Sequence, residues 1–306
     1  MFNPTKAPQP RINLLISKGW QDYRLLDTGN GQRLEKIGPY RFIRPAAQAM
    51  WRPHLAASEW QSVHGTFLSN RSESGGQWKM HKPIPASWEI TYHTLKFKAY
   101  LASSRHIGFF PEQAPHWDWI QQIVSAATQP VRVLNLFGYS GVASLAAASA
   151  GASVTHVDAS KKTIQIAKDN QQLSHLTNAN IRWIIDDALK FLRREQRRGV
   201  KYDGIILDPP KFGRGPKGEV WEFFELLPIL LELCSQVLSA RPVFFILTAY
   251  AIQASALTIY NAVNEYLSFA NGELTCGELT LEEQSANRLL SMAIYVRWQN
   301  HSSGNR

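Results

Sequence analysis

Apolar and polar residues follow two different rhythms along this chain. Through the first hundred residues, short and partly alternating segments at 23–27, 33–37 and 40–44 are separated by turns at Gly29-Asn30-Gly31 and Gly38-Pro39. Period-two alternation punctuated by glycine and proline predicts strands of a small antiparallel sheet. The segments 78–80, 88–92 and 95–100 continue the style. From about residue 116 the spacing lengthens to helical periods alternating with short apolar runs. Helices are expected over 116–127, 142–150, 161–173, 188–197 and 223–238, and strands over 131–137, 153–158, 181–185, 202–207 and 242–247. Such alternation builds a parallel sheet covered on both faces, with right-handed crossovers. Two last strand-like segments, 272–281 and 289–298, flank the polar turn Glu282-Glu283-Gln284-Ser285 and pair as a hairpin. The predicted fold is therefore α/β, a doubly wound and mostly parallel seven-stranded sheet closed by an antiparallel hairpin, behind a smaller β-rich domain.

Length and charge sharpen this division. A chain of 306 residues exceeds one typical domain, and we expect a β-rich domain over 1–105 and the α/β domain over 106–306. Residues 1–105 hold 15 Lys and Arg against 6 Asp and Glu, whereas residues 106–306 hold 18 against 18, so the net charge of +9 belongs to the first third. A basic domain beside a neutral one predicts a polyanionic partner, because Lys and Arg displace counterions from phosphates. No apolar run is long enough to span a membrane, and the start Met-Phe-Asn-Pro-Thr-Lys lacks a hydrophobic signal core. The two cysteines, Cys234 and Cys276, are too few for a disulfide framework or a zinc cluster. A cytoplasmic location is expected. Six histidines, His54, His64, His81, His93, His106 and His116, show no metal-ligand spacing.

The strand 131–137 ends in Asn135-Leu136-Phe137-Gly138-Tyr139-Ser140-Gly141. In a doubly wound sheet, ligands lie beyond the carboxyl ends of the strands where strand order reverses. Glycines there let backbone amides approach a ligand closely. Asp158, ending the second strand, stands where a carboxylate accepts hydrogen bonds from two ribose hydroxyls. Gly138-Tyr139-Ser140-Gly141 does not fit Gly-x-Gly-x-x-Gly, whose second glycine makes room for a pyrophosphate. That disfavours a dinucleotide-dependent oxidoreductase. Asp187-Ala188, closing strand three, is expected beside the adenine, with Asp186 as the competing carboxylate.

The fourth strand delivers Asp208-Pro209-Pro210-Lys211 to the same edge. A carboxylate and the carbonyls of two rigid prolines form a set of acceptors that orients an amine on a flat ring and supports its developing positive charge. Phe212, Arg214 and Lys217 follow in a glycine-rich stretch. With Lys211 they predict a flexible cationic loop that contacts substrate phosphates.

Several segments in order resemble one family: Gly108-Phe109-Phe110-Pro111-Glu112-Gln113, Leu134 to Gly141, Val157-Asp158-Ala159-Ser160 with Ala167-x-x-Asn170, Asp186-Asp187-Ala188, and Leu207 to Phe212. Together they are similar to the bacterial class I S-adenosylmethionine-dependent methyltransferases related to the large-subunit ribosomal RNA enzymes that act on cytosine C5 or guanine N7. The resemblance implies that Glu112 and Gln113 line the pocket of S-adenosyl-L-methionine. It also implies that Asn135 to Gly141 hold the methionine end, Asp158 with Ala159, Ser160 and Asn170 the ribose side, Asp187 and Ala188 the adenine, and that Asp208 faces the sulfonium. It further implies an RNA partner, ribosomal RNA first, presented by the basic domain. Two departures matter. Methylation at cytosine C5 needs a thiolate, yet the segment after strand five reads Leu247-Thr248-Ala249-Tyr250, where a cysteine would be expected. The aromatic residue of an Asp-Pro-Pro-aromatic pattern is displaced by Lys211 to Phe212. Direct transfer to a base without a cysteine nucleophile is the leading expectation, and a small-molecule or protein acceptor is the rival.

Overall fold

The computed structural model describes residues 9–70, 75–215, 218–267 and 271–301. Chain order begins with β1 (Ile12–Ser17), then β2 (Tyr23–Gly29), β3 (Gln32–Ile37), β4 (Tyr40–Pro45), a short α1 (Ala57–Gln61), β5 (Gly65–Ser69), β6 (Gly76–Met80), β7 (Trp88–Tyr92) and β8 (Leu95–Ala99). The α/β alternation follows as α2 (Ala114–Ala126), β9 (Arg132–Leu136), α3 (Val142–Ser149), β10 (Ser153–Asp158), α4 (Lys161–Leu173), β11 (Ile181–Ile185), α5 (Ala188–Arg197) and β12 (Gly204–Leu207). Next come a small hairpin, β13 (Phe212–Arg214) with β14 (Val220–Glu222), then α6 (Phe223–Val237), β15 (Phe244–Ala249), α7 (Ala256–Leu267), β16 (Gly272–Glu282) and β17 (Leu289–Asn300).

The large sheet runs β11-β10-β9-β12-β15-β17-β16-β1. Five central strands are parallel, β17 is antiparallel to β15, and β16 pairs back on β17 as the expected hairpin. The core strands read as continuous apolar runs because both faces are covered. Leu134, Leu136, Ile205, Leu207, Phe245 and Leu247 pack against α5, α6 and α7. The alternate positions Val133, Val154, Ile206, Phe244 and Ile246 face α2 and α3. Each such side chain taken fully out of water contributes roughly 1.5–3 kcal/mol.

An eighth strand joins the seven expected. Residues 12–17 leave the N-terminal region and lie parallel to β16, with Ile12 opposite Cys276 and Ser17 opposite Leu281. The remaining N-terminal strands form a five-stranded sheet, β2-β3-β4-β5-β6, and a two-stranded β7-β8. These do not stand apart from the α/β unit. Trp20, Tyr23, Phe42, Tyr92 and Phe97 share one apolar cluster with Trp117 of α2 and with Val142 and Leu145 of α3. Polar and charged contacts also cross this interface: buried Glu283 accepts from Thr28, and buried Asp27 accepts from Ser285 at 2.7 Å and pairs with Arg288 at 3.5 Å. The helix α7 and the β13-β14 hairpin carry no counterpart in the sequence expectations.

Candidate functional site

The chain passes from β9 to β10 on one side and later places β12 on the other, so strand order reverses at β9. The tips of β9, β10, β11 and β12 enclose the crevice where such sheets take ligands. Beyond Leu136 the backbone turns sharply. Phe137, Tyr139 and Gly141 have φ of 57°, 49° and 84°. For the two non-glycine residues such a conformation costs of order 1–3 kcal/mol each and persists only where its surroundings enforce it. Here the Phe137 ring meets Trp221 edge-on at 5.0 Å, the Tyr139 hydroxyl lies 2.9 Å from that of Tyr100, and the Tyr139 amide donates to Asp158 at 3.0 Å. Gly138 has no alternative, because a Cβ there would fall 2.2 Å from Cε1 of the His156 ring.

Two polar residues expected to touch the cofactor instead hold this turn from behind. Asn135, 2% exposed, donates to Ser144 Oγ at 2.9 Å, and Ser144 is 2.9 Å from Nδ1 of buried His156. Burial keeps that imidazole neutral, its pKa lowered to about 3. Asn170 donates to the Ser140 carbonyl and accepts from the Lys98 amide, both at 2.9 Å, so its amide is spent tying the turn to β8. Leu136 is sealed in the core and Ser140 is buried. Both support the turn from below.

Asp158 ends β10 and accepts from Tyr139 N, from Ser160 N at 2.9 Å and from Thr163 Oγ1 at 2.8 Å. Half-buried Ala159 lies between them, and Ser160 caps α4. At the tip of β11 the two neighbouring carboxylates part. Asp186 binds Arg194 at 2.7 Å and accepts from the Asp187 amide, engaging both oxygens. Asp187 caps α5 through one oxygen, on Lys190 N at 2.9 Å, with Ala188 buried beneath it. Among the described residues its other oxygen has no partner, which favours Asp187 of the two candidates left open by the sequence.

The β12 tip carries Asp208, which accepts from Gln113 Nε2 at 3.2 Å. The same amide donates to the Tyr250 hydroxyl at 3.1 Å, and that hydroxyl is also hydrogen-bonded to Glu112. Burial, reinforced by the neighbouring Glu112 carboxylate and partly offset by Gln113, pushes the Asp208 carboxyl up to about 8. Burial likewise raises Glu112, against the opposing pull of Arg33 and Arg44. The corner thus holds a proton at neutral pH and is prepared to release it when a positive charge arrives. One acceptor is withdrawn from the expected set: the Pro210 carbonyl accepts from the Trp221 indole at 2.5 Å. Asp208 and the Pro209 carbonyl remain.

Part of the stretch after Pro210 forms one strand of a small hairpin. Phe212 pairs with Glu222 and Arg214 with Val220, placing the exposed Phe212 and Arg214 on one face of the hairpin beside exposed Lys211. Lys217 lies outside the described residues.

Sequence reasoning placed Tyr139 at the cofactor but assigned no role to Phe110 or Tyr250. Phe110 lies 5.5 Å from Tyr139 and 5.3 Å from Tyr250, with His106 at 5.3 Å on its other side. Burial, with Arg44, Arg105 and Arg33 nearby, lowers His106 to about 4, so it is a neutral wall. Tyr250 was findable as the first residue beyond β15, the position where strand tips deliver functional groups. Both cysteines are buried, Cys234 in α6 and Cys276 in β16, and burial raises both thiols. Neither reaches the crevice.

Three acidic side chains at the tips of β10, β11 and β12, Asp158, Asp187 and Asp208, form an acceptor-rich set around the crevice. That suits a ligand with a ribose diol, an adenine amine and a cationic amino-acid end, and it would repel a pyrophosphate. S-adenosyl-L-methionine fits this chemistry.

Comparison with known proteins agrees. A family model described as S-adenosylmethionine-dependent methyltransferase matches residues 34–240. The "Ribosomal RNA large subunit methyltransferase I" of Aeromonas salmonicida is 35% identical over 124 residues, covering 40% of this chain and 30% of that protein. Its namesake from Shewanella denitrificans is 32% identical over 225 residues, 68% of this chain and 55% of that protein. The matched part therefore spans 30% to 55% of these relatives' length. A crystal structure of a SAM-dependent methyltransferase from Agrobacterium tumefaciens superposes with a TM-score of 0.89 at 44% identity, covering 94% of this chain and 93% of that one.

Proposed function

Starting from the fact that the chain belongs to the S-adenosylmethionine-dependent methyltransferases, we propose that it methylates a ring or exocyclic nitrogen of a base in RNA, ribosomal RNA first, in the cytoplasm. The observation that carries the choice of nitrogen is Tyr250 at the end of β15 together with two cysteines sealed in the core. Cytosine C5 is not nucleophilic until a thiolate adds to the ring, whereas a nitrogen lone pair attacks directly. The RNA assignment rests on the positive excess of residues 1–105 and on the names of the curated relatives. We assign residues 1–105, apart from the strand β1, to substrate presentation and residues 106–306 to catalysis.

When bound, the cofactor supplies an electrophilic methyl on a sulfonium. Asp158 holds its ribose, Asp187 with Ala188 its adenine, and the Phe137 to Gly141 turn its methionine end. Asp208 and the Pro209 carbonyl orient the acceptor N–H so that its lone pair is directed along the transfer axis. Beside a bound sulfonium Asp208 would give up its own proton to solvent and act as a carboxylate; as positive charge develops on the acceptor nitrogen, that carboxylate stabilises it and takes up the nitrogen's proton, which its raised pKa allows. Phe110, Tyr139 and Tyr250 exclude water and offer ring faces to a flat substrate. Lys211, Phe212 and Arg214 on the hairpin grip the flanking nucleotides.

Nucleoside mass spectrometry of ribosomal RNA from cells with and without the gene tests the proposal. The expected result is loss of one N-methylated nucleoside, restored by the wild-type chain and not by Asp208→Ala. Loss of 5-methylcytosine, or an unchanged set of methyl marks, contradicts it.

A further inference from the structure

The positive excess of the first third conceals a second basic surface within the charge-balanced remainder. In α5 the buried positions are Ala188, Leu189, Phe191, Leu192 and Glu195. Of the positions turned away from the core, four of five are cationic: Lys190, Arg193, Arg194 and Arg197, with Gln196 the exception and Arg198 as the C-cap. They fall at i, i+3, i+4 and i+7, so they form one stripe along the helix. Like charges at these spacings destabilise a helix by a few tenths of a kcal/mol per pair, so helix stability does not account for the pattern.

Part of the stripe is neutralised within the chain. Lys190 pairs with Glu219 at 2.5 Å, Arg194 with Asp186 at 2.7 Å and Arg198 with Glu195 at 3.3 Å. Arg193 and Arg197 are exposed and make no ion pair among the described residues. They line a groove of about 440 Å³ between α5 and α6, whose far wall carries Ile229 and one acid, Glu232. The stripe is also continuous with the site. Its first residue follows Asp187 by three positions, and Glu219, which holds Lys190, immediately precedes strand β14 of the hairpin bearing Phe212 and Arg214. From Lys190 to Arg197 the helix rises about 10 Å at 1.5 Å per residue, enough to span roughly three nucleotides at the duplex rise per strand.

We propose that the α5 stripe, through Arg193 and Arg197, is a second RNA contact that binds the phosphodiester backbone leaving the active-site crevice. The substrate is then held from two sides, by the basic N-terminal region and by the α5 face. The inference rests on the RNA reading above.

The test uses the full chain, a transcript of large-subunit ribosomal RNA, and the double variant Arg193→Gln/Arg197→Gln. Glutamine keeps helix propensity and both sites are exposed, so folding and S-adenosylhomocysteine binding should match wild type. RNA affinity should fall about 25-fold at 0.1 M salt, and the slope of log K against log salt should shrink by about 1.4, at roughly 0.7 per phosphate contact for single strands. RNA affinity and salt slope equal to wild type would overturn the stripe and leave the RNA reading intact. A wild-type chain that fails to bind or methylate the transcript would overturn both. A variant that loses binding to anionic lipid vesicles while keeping RNA affinity would reassign the surface to membranes.

Discussion

Asp208 offers the sharpest physical test, because its environment makes opposite demands on stability and chemistry. Its carboxyl has an ordinary value of 3.8 and is pushed up to about 8 by burial beside Glu112. In that window the native chain holds a proton that the unfolded chain has released, so raising the pH must cost stability. The contribution is fully present below 3.8 and is lost as pH rises through about 8. At 1.36 kcal/mol per pH unit the full window corresponds to roughly 5–6 kcal/mol. Solvent still reaches the carboxylate, and the Glu112 interaction is shared, so about 2–3 kcal/mol is the realistic share at pH 9. Asp208→Asn keeps an oxygen for the Gln113 amide and removes the charge. Urea unfolding of ligand-free protein should therefore give equal midpoints for wild type and variant near pH 4, and a variant more stable by about 2–3 kcal/mol at pH 9. The same variant should lose roughly a hundred- to a thousandfold in turnover, as when one preorganised polar group is taken from a transition state. A stability difference that does not change between pH 4 and pH 9, or a variant less stable at pH 9, would refute the account of this corner.

Other outcomes follow from the same geometry. Asp158→Ala removes an acceptor of three hydrogen bonds and the proposed ribose contact, so the dissociation constant of S-adenosylhomocysteine measured by calorimetry should rise roughly ten- to a hundredfold. Gly138→Ala should distort the turn, because its Cβ would fall 2.2 Å from the His156 ring; adding His156→Ala should recover part of the lost cofactor affinity, a positive coupling in a double-mutant cycle. Trp221→Phe leaves the Pro210 carbonyl without its 2.5 Å donor and should lower stability by about 1–2 kcal/mol in urea unfolding, with a larger effect on the KM for RNA than on that for the cofactor.

Much of this was legible from residue order because period and position carry strong physical constraints. The runs at β9, β10 and β12 read as strands buried on both faces, with β11 the half-exposed edge strand beside them, and the residues at their tips, Gly138, Asp158, Asp187 and Asp208, fell on one edge once the sheet was parallel. What escaped depended on contacts distant in sequence. Residues 12–17 look like any other N-terminal strand, and their pairing with β16, more than 250 positions away, follows from an open sheet edge that no local signal announces. Asn135 and Asn170 look like ligands because they flank the glycine turn, yet their amides are consumed by Ser144, Ser140 and Lys98. Charge counted over long stretches hid the α5 stripe, since Glu195 lies buried beneath the very arginines that the count set it against.

Calorimetry on purified chain stripped of ligand addresses the central claim most directly. S-adenosylhomocysteine should bind at one site per chain, more weakly in Asp158→Ala, while NAD gives no heat. Saturation by NAD, or no uptake of the methyl donor or its product by the wild-type chain, would contradict the assignment of the strand-tip crevice.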